Sequence, residues 1–316
     1  MQDAIHKAKA MLKRLPGVRR LMAGMSVSVM PDESPFLRFA PIGHFYSPLP
    51  DLEEITANRD VLFRRDLKTC PGINMREGSQ LALLDELSAF YDEVPFSELR
   101  SASTRYYYQN DLFGYGDAII LYAMLRRHSP RRVIEIGSGF SSSVMLDVND
   151  LFLDKTMHLT FIEPYPDRLF QLFRKEDQQT CTVIQKPLQD VPLSSFHELS
   201  AGDMIFIDSS HVVKIGSDVA YILFHILPEL QPGVLIHFHD ILWPFEYPED
   251  WLYEGRAWNE AYVLRAFLQF NEAFHIMYFN SYIWQHHADH LQQKMPLCMK
   301  NPGGSIWLQK TGAFAG

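Results

Sequence analysis

The chain has 316 residues, 47% hydrophobic and 21% charged, enough to bury the core of one large domain or two modest ones. A net charge of −9 argues against nucleic acid as the main partner. Three cysteines, Cys70, Cys181 and Cys298, odd in number and far apart, argue against a disulfide framework or a zinc ribbon and fit a reducing, cytoplasmic setting.

No apolar run reaches the ~18 residues that span a bilayer, and the opening 24 residues lack the apolar stretch of a secretory signal. Residues 4–15 predict a short helix with Ala4, Ile5, Ala8, Met11 and Leu12 on one face. Lys7, Lys9, Lys13, Arg14, Arg19 and Arg20 make this end positive within an acidic chain. Peripheral contact with a membrane surface, docking to a partner and a solvated capping helix are all compatible with that pattern. Residues 26–75, punctuated by Pro31, Pro35, Pro41, Pro48, Pro50 and Pro71, read as ordered loop.

Leu81, Leu84, Leu87 and Phe90 recur at helical spacing and predict a helix over 79–94, and a second is expected over 115–128. A regular alternation follows. Strands are expected at 133–137, 159–164, 182–186, 204–208 and 234–240. Helices are expected from Ser141, over 167–175, over 216–227 and over 257–271, with only a weak helical signal after the third strand. Strands at 274–280 and 305–310 close the chain as an antiparallel pair with no helix between them. Short apolar strands alternating with helices imply a doubly wound, Rossmann-like α/β sheet, mostly parallel with one antiparallel strand near the C-terminus. The boundary is placed between a cap, 1–111, and the sheet domain, 112–316.

The first strand runs into RRVIEIGSGFSS, 131–142. Gly137 and Gly139 allow a sharp turn and close backbone approach, and the amides of the helix that starts near Ser141 face the same crevice. Glu163 ends the second strand, where a carboxylate can accept both hydroxyls of a ribose. The bend, with Ser138 inside it, is therefore expected to hold a nucleoside-bearing cofactor. The third glycine of a dinucleotide fingerprint would fall at 142, which is Ser142.

The order Glu135-x-Gly137-x-Gly139 resembles instead the first motif of the class I S-adenosylmethionine-dependent methyltransferases. The resemblance continues through FIEPYP, through LQD at 188–190 and through the closing strand pair, about 200 residues in all. It implies S-adenosylmethionine as cofactor, with Glu135 organising the loop near its methionine end and Asp190 near its adenine.

Asp208 ends the fourth strand and His211 follows. His237, His239 and Asp240 end the fifth. Two acids and imidazoles converging at strand ends are costly unless they bind something. Their donor atoms suit Mg²⁺ or Mn²⁺, and also Fe²⁺ or Zn²⁺. The pattern resembles a metal-dependent branch that includes macrocin-type sugar O-methyltransferases and cephalosporin-hydroxylase-like proteins. That resemblance implies Asp208, His239 and Asp240 as ligands of Mg²⁺ or another divalent ion, with His239 standing where the branch has a second carboxylate. Asp208 also borders the cofactor. Methyl transfer to an alcohol needs a base, and His211 is the first candidate and His239 the second. His237 reads as a core histidine.

Aromatic and polar side chains dense at 38–51, 105–118 and 243–262 suit a sugar or polyol. His44, Tyr46, Ser47, Tyr107, Asn110, Trp258 and Asn259 are the candidate acceptor contacts, Asn259 also being a candidate helix cap. The phrases HFYSPLPD and RAWNEAY resemble a largely uncharacterised bacterial subgroup. The reading is an O-methyltransferase acting on a small molecule or glycan, with a homo-oligomer left open. Its rivals are a metal-dependent hydrolase or oxygenase using the Asp/His cluster and a non-catalytic cofactor-binding scaffold.

Overall fold

Val/Ile/Phe-rich runs of three to six residues form strands because a pleated ribbon buried on both faces is the conformation that β-branched side chains fill best. A computed structural model describes residues 35–312. Its strands are β1 (Arg132–Ile136), β2 (His158–Ile162), β3 (Thr182–Ile184), β4 (Met204–Ile207), β5 (Leu235–His239), β6 (Phe274–Phe279) and β7 (Ser305–Lys310). They make one seven-stranded sheet of order β3-β2-β1-β4-β5-β7-β6, flanked by helices. β7 runs antiparallel to both β5 and β6, and the pairs among β1 to β5 are parallel. The doubly wound sheet with a reversed last strand expected from the sequence is what forms.

Strand order reverses between β1 and β4, so their carboxyl ends flank the crevice where this class of sheet binds ligands. Glu135 pairs with Phe161 and Phe206, and Phe206 with His237. That register places the ends of β1, β2, β4 and β5 along one edge.

The chain divides into two units, residues 1–62 and 63–316. The boundary drawn from the sequence after residue 111 falls inside the second. In the first unit, helices Pro35–Phe39, Leu52–Ala57 and Arg59–Leu62 replace part of the loop expected over 26–75. Asp51 explains the second of these: its carboxylate accepts the backbone N–H groups of Glu53 and Glu54 at 2.8 and 3.2 Å, a cap that proline counting overlooks. The basic helix expected over 4–15 lies outside the described residues.

In the second unit, helix Glu77–Ser88 is followed by a 3₁₀ turn, Tyr91–Glu93, and helix Tyr115–His128 lies on the residues the sequence assigned to it. Between β6 and β7, where no helix was expected, lie Asn280–His286, Ala288–Lys294 and the 3₁₀ turn Pro296–Lys300. The break at His287 interrupts the apolar period there, leaving Tyr282 and Ile283 buried in one piece and Leu291 in the other. After β3 the weak helical signal resolves into two 3₁₀ turns, Leu188–Asp190 and Leu193–Ser195, each preceded by a proline. Among the described residues no helix is long and apolar enough to cross a membrane.

A buried ion network fixes the segment before helix Tyr115–His128. The Arg105 guanidinium, almost wholly buried, bonds Asp147 at 2.8 Å, Asp150 at 2.8 Å and Asp177 at 2.5 Å. Asp147 also accepts the backbone N–H groups of Arg105 and Tyr106. Complete pairing is what makes such buried charge tolerable. It holds Tyr107 edge-on to Phe140, the first residue after the glycine bend, at 5.5 Å.

Candidate active site

The bend after β1 is built by backbone contact. The N–H of Gly137 donates to the carbonyl of Ile162 and the N–H of Asp208 donates to that of Ile136, both at 2.9 Å. Gly137 has φ +77°, and a β-carbon there would lie 1.9 Å from the Asp208 carbonyl oxygen. Only glycine fits both demands. At Gly139 the backbone is extended, and the nearest atom to an added β-carbon is Arg168 Cδ at 3.4 Å.

Glu135 holds the bend from beneath. Its buried carboxyl accepts Ser141 Oγ–H at 2.5 Å and Ser142 Oγ–H, and Ser142 Oγ in turn accepts the N–H of Gly139 at 3.0 Å. Burial pushes this carboxyl up to about 8 against the pull of the two hydroxyls, with Asp208 and Glu163 adding to the rise. Ser142, which reads from sequence as a missing glycine, is thus the hub of the bend. Glu163 faces the bend from β2's end. One carboxylate oxygen accepts the N–H of Ser138 at 3.2 Å and the other that of Tyr165 at 2.8 Å. Asp190 is exposed, ending the turn after β3.

At the ends of β4 and β5, one ligand atom each from Asp208, His211 and Asp240 lies within 4.8 Å of the others, the group among the described residues with the spacing of a metal site. His211 Nε2 is 3.3 Å from Asp208 and 3.6 Å from Asp240, while Nδ1 is 2.8 Å from the carboxylate of Glu260, which is fully buried. Burial alone would lower the His211 pKa. Hydrogen bonds to Asp208 and Glu260 overcome it and push the imidazole up to about 10. His211 and Asp240 both have left-handed backbones, φ +60° and +56°, a strain of order 1–3 kcal/mol each that the surrounding contacts enforce.

His239, expected as the third ligand, stands outside this group. It is buried, with Nε2 3.7 Å from Asp240, no partner for Nδ1, and its ring 5.2 Å from Phe113. His211 is the imidazole in the group because the loop after β4 returns it towards the strand ends. His237 packs in the core between Phe206 and Trp307.

The expected acceptor residues separate. Trp258 leans on the His211 ring at 4.2 Å, and Asn259 spends its side chain on the backbone of Val213, so both brace the His211 loop. Asn259 makes no side-chain cap bond to its helix, Glu260–Leu268. Asn110 bonds its own turn, through Tyr107, Leu112 and Phe113, and also borders a cavity beside Asp240. His44, Tyr46 and Ser47 belong to the first unit, where His44 and Ser47 line a hollow of about 410 Å³. Beside Asp240 opens a cavity of about 240 Å³ bordered by Phe113, Asp117, His239, Trp251 and Asn301.

A methyltransferase-domain family model matches residues 134–241, from β1 to the residue after Asp240. An uncharacterised protein of Archaeoglobus fulgidus is 34% identical over 165 residues, covering 50% of this chain and 73% of its own. Residues 134–241 form a methyltransferase domain.

This methyltransferase is also similar to the O-methyltransferase TomG from Streptomyces achromogenes (14% identity, TM-score 0.39, covering 82% of this chain and 96% of that one). A methyltransferase of Podospora anserina, PaMTH1, gives 12% identity and TM-score 0.40, with 84% and 98% covered. CmcI with Mg and the cofactor gives 15% and 0.36, with 62% and 72% covered.

Sequence reasoning missed the roles of three residues in this methyltransferase. Ser142 was hidden by comparison with a glycine motif. Arg168 reads as an ordinary helix residue until its stem is seen beside Gly139. Glu260 has the position of an acid complementing a helix N-terminus, and only its complete burial shows another use.

Two predictions follow from the bend. Gly137→Ala is expected to abolish binding of S-adenosylhomocysteine or prevent folding, whereas Gly139→Ala, with room for its methyl, is expected to keep near-native thermal stability. Equal behaviour of the two variants would contradict the contact with Asp208. Glu135 has a folded pKa above its ordinary 4.5, so its contribution is complete below that value and is lost as pH rises to about 8. The unfolding free energy of the cofactor-free protein, taken relative to Glu135→Gln, should fall across that window by up to about 1.4 kcal/mol per pH unit. A pH-independent difference in urea unfolding would show that Glu135 is ionised in the fold.

Proposed function

We propose that this chain methylates a hydroxyl oxygen of a small acceptor, a sugar, glycan unit or secondary metabolite, with the help of a divalent ion held by Asp208, His211 and Asp240. The observation that carries this reading is the Glu260–His211 pair. A buried carboxylate on Nδ1 turns Nε2 towards two further carboxylates, the arrangement that orients metal-ligating histidines. Two carboxylate oxygens and one imidazole nitrogen fit Mg²⁺, Mn²⁺ or Fe²⁺ and leave coordination positions for an acceptor. Such an ion supplies orientation and lowers the pKa of a bound hydroxyl.

S-adenosylmethionine supplies an activated methyl group, and the chain's own residues do the rest. Glu163, now bonded to Ser138 and Tyr165, would accept the ribose hydroxyls. The backbone of Gly137, Ser138 and Gly139, braced through Ser141 and Ser142 by Glu135, would hold the amino-acid end. Asp190 would meet the adenine. His211 Nδ1 is committed to Glu260 and Nε2 would be given to the ion, so the acceptor's proton falls to His239, whose ring borders the cavity beside Asp240. Holding the acceptor oxygen in line with the methyl contributes up to ~7–11 kcal/mol in well-oriented systems, more than the 10²–10⁴-fold typical of a base.

Calorimetry with S-adenosylhomocysteine and with Mn²⁺ tests these assignments separately. Glu163→Ala should weaken the nucleoside about tenfold or more and leave Mn²⁺ binding intact. Glu260→Gln should weaken Mn²⁺ about 10–100-fold and leave the nucleoside intact. His239→Asn should bind both and methylate no acceptor. An unchanged Mn²⁺ affinity in Glu260→Gln would overturn the metal assignment, and unchanged nucleoside affinity in Glu163→Ala the ribose assignment.

A further inference from the structure

We propose that Arg168 recognises the carboxylate at the cofactor's amino-acid end, an inference that rests on the reading of the glycine bend as an S-adenosylmethionine site. Arg168 lies in the first turn of helix Asp167–Leu172, just past Glu163. Leu169 beside it is fully buried and anchors the helix, while Arg168 is exposed. A β-carbon built on Gly139 would stand 3.4 Å from Arg168 Cδ and 3.9 Å from its Nη1, so this side chain lies over the space that Gly139 leaves bare. Among the described residues its guanidinium has no hydrogen bond or ion pair. The same side chain is near enough to Asp208 for its charge to favour that carboxylate's ionised form, so it borders the crevice rather than open solvent alone.

Charge gives this placement its meaning. Glu135, Glu163, Asp208 and Asp240 stand around the bend and the strand ends. Such acids suit the ammonium and sulfonium of S-adenosylmethionine and oppose its carboxylate, which needs a cation. The imidazoles there are spent on the chain's own acids, His211 on Glu260 and Asp208, and His239 beside Asp240. Arg168 keeps its fork uncommitted. A planar guanidinium meets a carboxylate through two parallel N–H···O bonds, a match that an ammonium group does not offer. Inside the bend, Ser138 Oγ is buried without a hydrogen-bond partner, a hydroxyl left over for an incoming acceptor.

Calorimetry with S-adenosylhomocysteine and with its decarboxylated analogue, which keeps the nucleoside and the amine, tests it. The wild type is expected to prefer S-adenosylhomocysteine about tenfold. Arg168→Met should weaken S-adenosylhomocysteine by that factor, leave the analogue unchanged and keep the thermal unfolding of the cofactor-free protein. Arg168→Lys should restore part of the preference. Glu163→Ala, acting on the ribose, should weaken both ligands alike and so keep the preference. A preference that survives Arg168→Met, equal loss of both ligands in that variant, or equal binding of the two by the wild type would each overturn the proposal. Failure of the wild type to bind either ligand would overturn the cofactor reading as well.

Discussion

The site depends on a backbone contact without room for one carbon atom. β1 and β4 are hydrogen-bonded neighbours, and where they end the chain after β1 turns so tightly that Gly137 lies against the Asp208 carbonyl. That contact joins the half of the crevice made by the bend and Glu163 to the half made by Asp208, His211 and Asp240. A parallel sheet places strand ends together by topology alone. The glycine brings two of them close enough for one ligand to touch both.

Burying this much carboxylate demands compensation, and the molecule uses three kinds. Glu135 gives up its charge over much of the neutral range and is held by serine hydroxyls. Asp208, only partly buried, keeps its charge: His239 and His211 hold its pKa below the usual range against the desolvation it does suffer. Asp147 and Asp177 share one guanidinium. The first two lie at the bend and at the end of β4, around the crevice. The third lies behind it and fastens the segment that brings Tyr107 to the bend.

The strands were legible because buried parallel strands are short unbroken apolar runs, and the glycine bend because only glycine tolerates its backbone. Glu163 was legible from its place at the end of β2. What escaped depends on contacts across long separations. Glu260 lies 49 residues from His211, and no local pattern couples them. The choice between His211 and His239 turns on a left-handed residue in a loop, which sequence spacing does not encode. The helices between β6 and β7 were hidden because their buried positions, Tyr282, Ile283 and Leu291, fall on two pieces offset at His287. Asn259 reads as a recognition residue because an amide that braces a loop has the same composition as one that grips a sugar.

The central claim is that bend and cluster form one pocket, with the cofactor's methyl group facing the Asp208–His211–Asp240 group. The most direct measurement is the relaxation of the ¹³C-labelled methyl of bound S-adenosylmethionine when Mn²⁺ is added. One pocket predicts a methyl signal broadened by stoichiometric Mn²⁺, restored by chelation and insensitive to Mn²⁺ in Asp208→Asn. A methyl signal unchanged while both cofactor and Mn²⁺ are bound would place them in separate sites and contradict the claim.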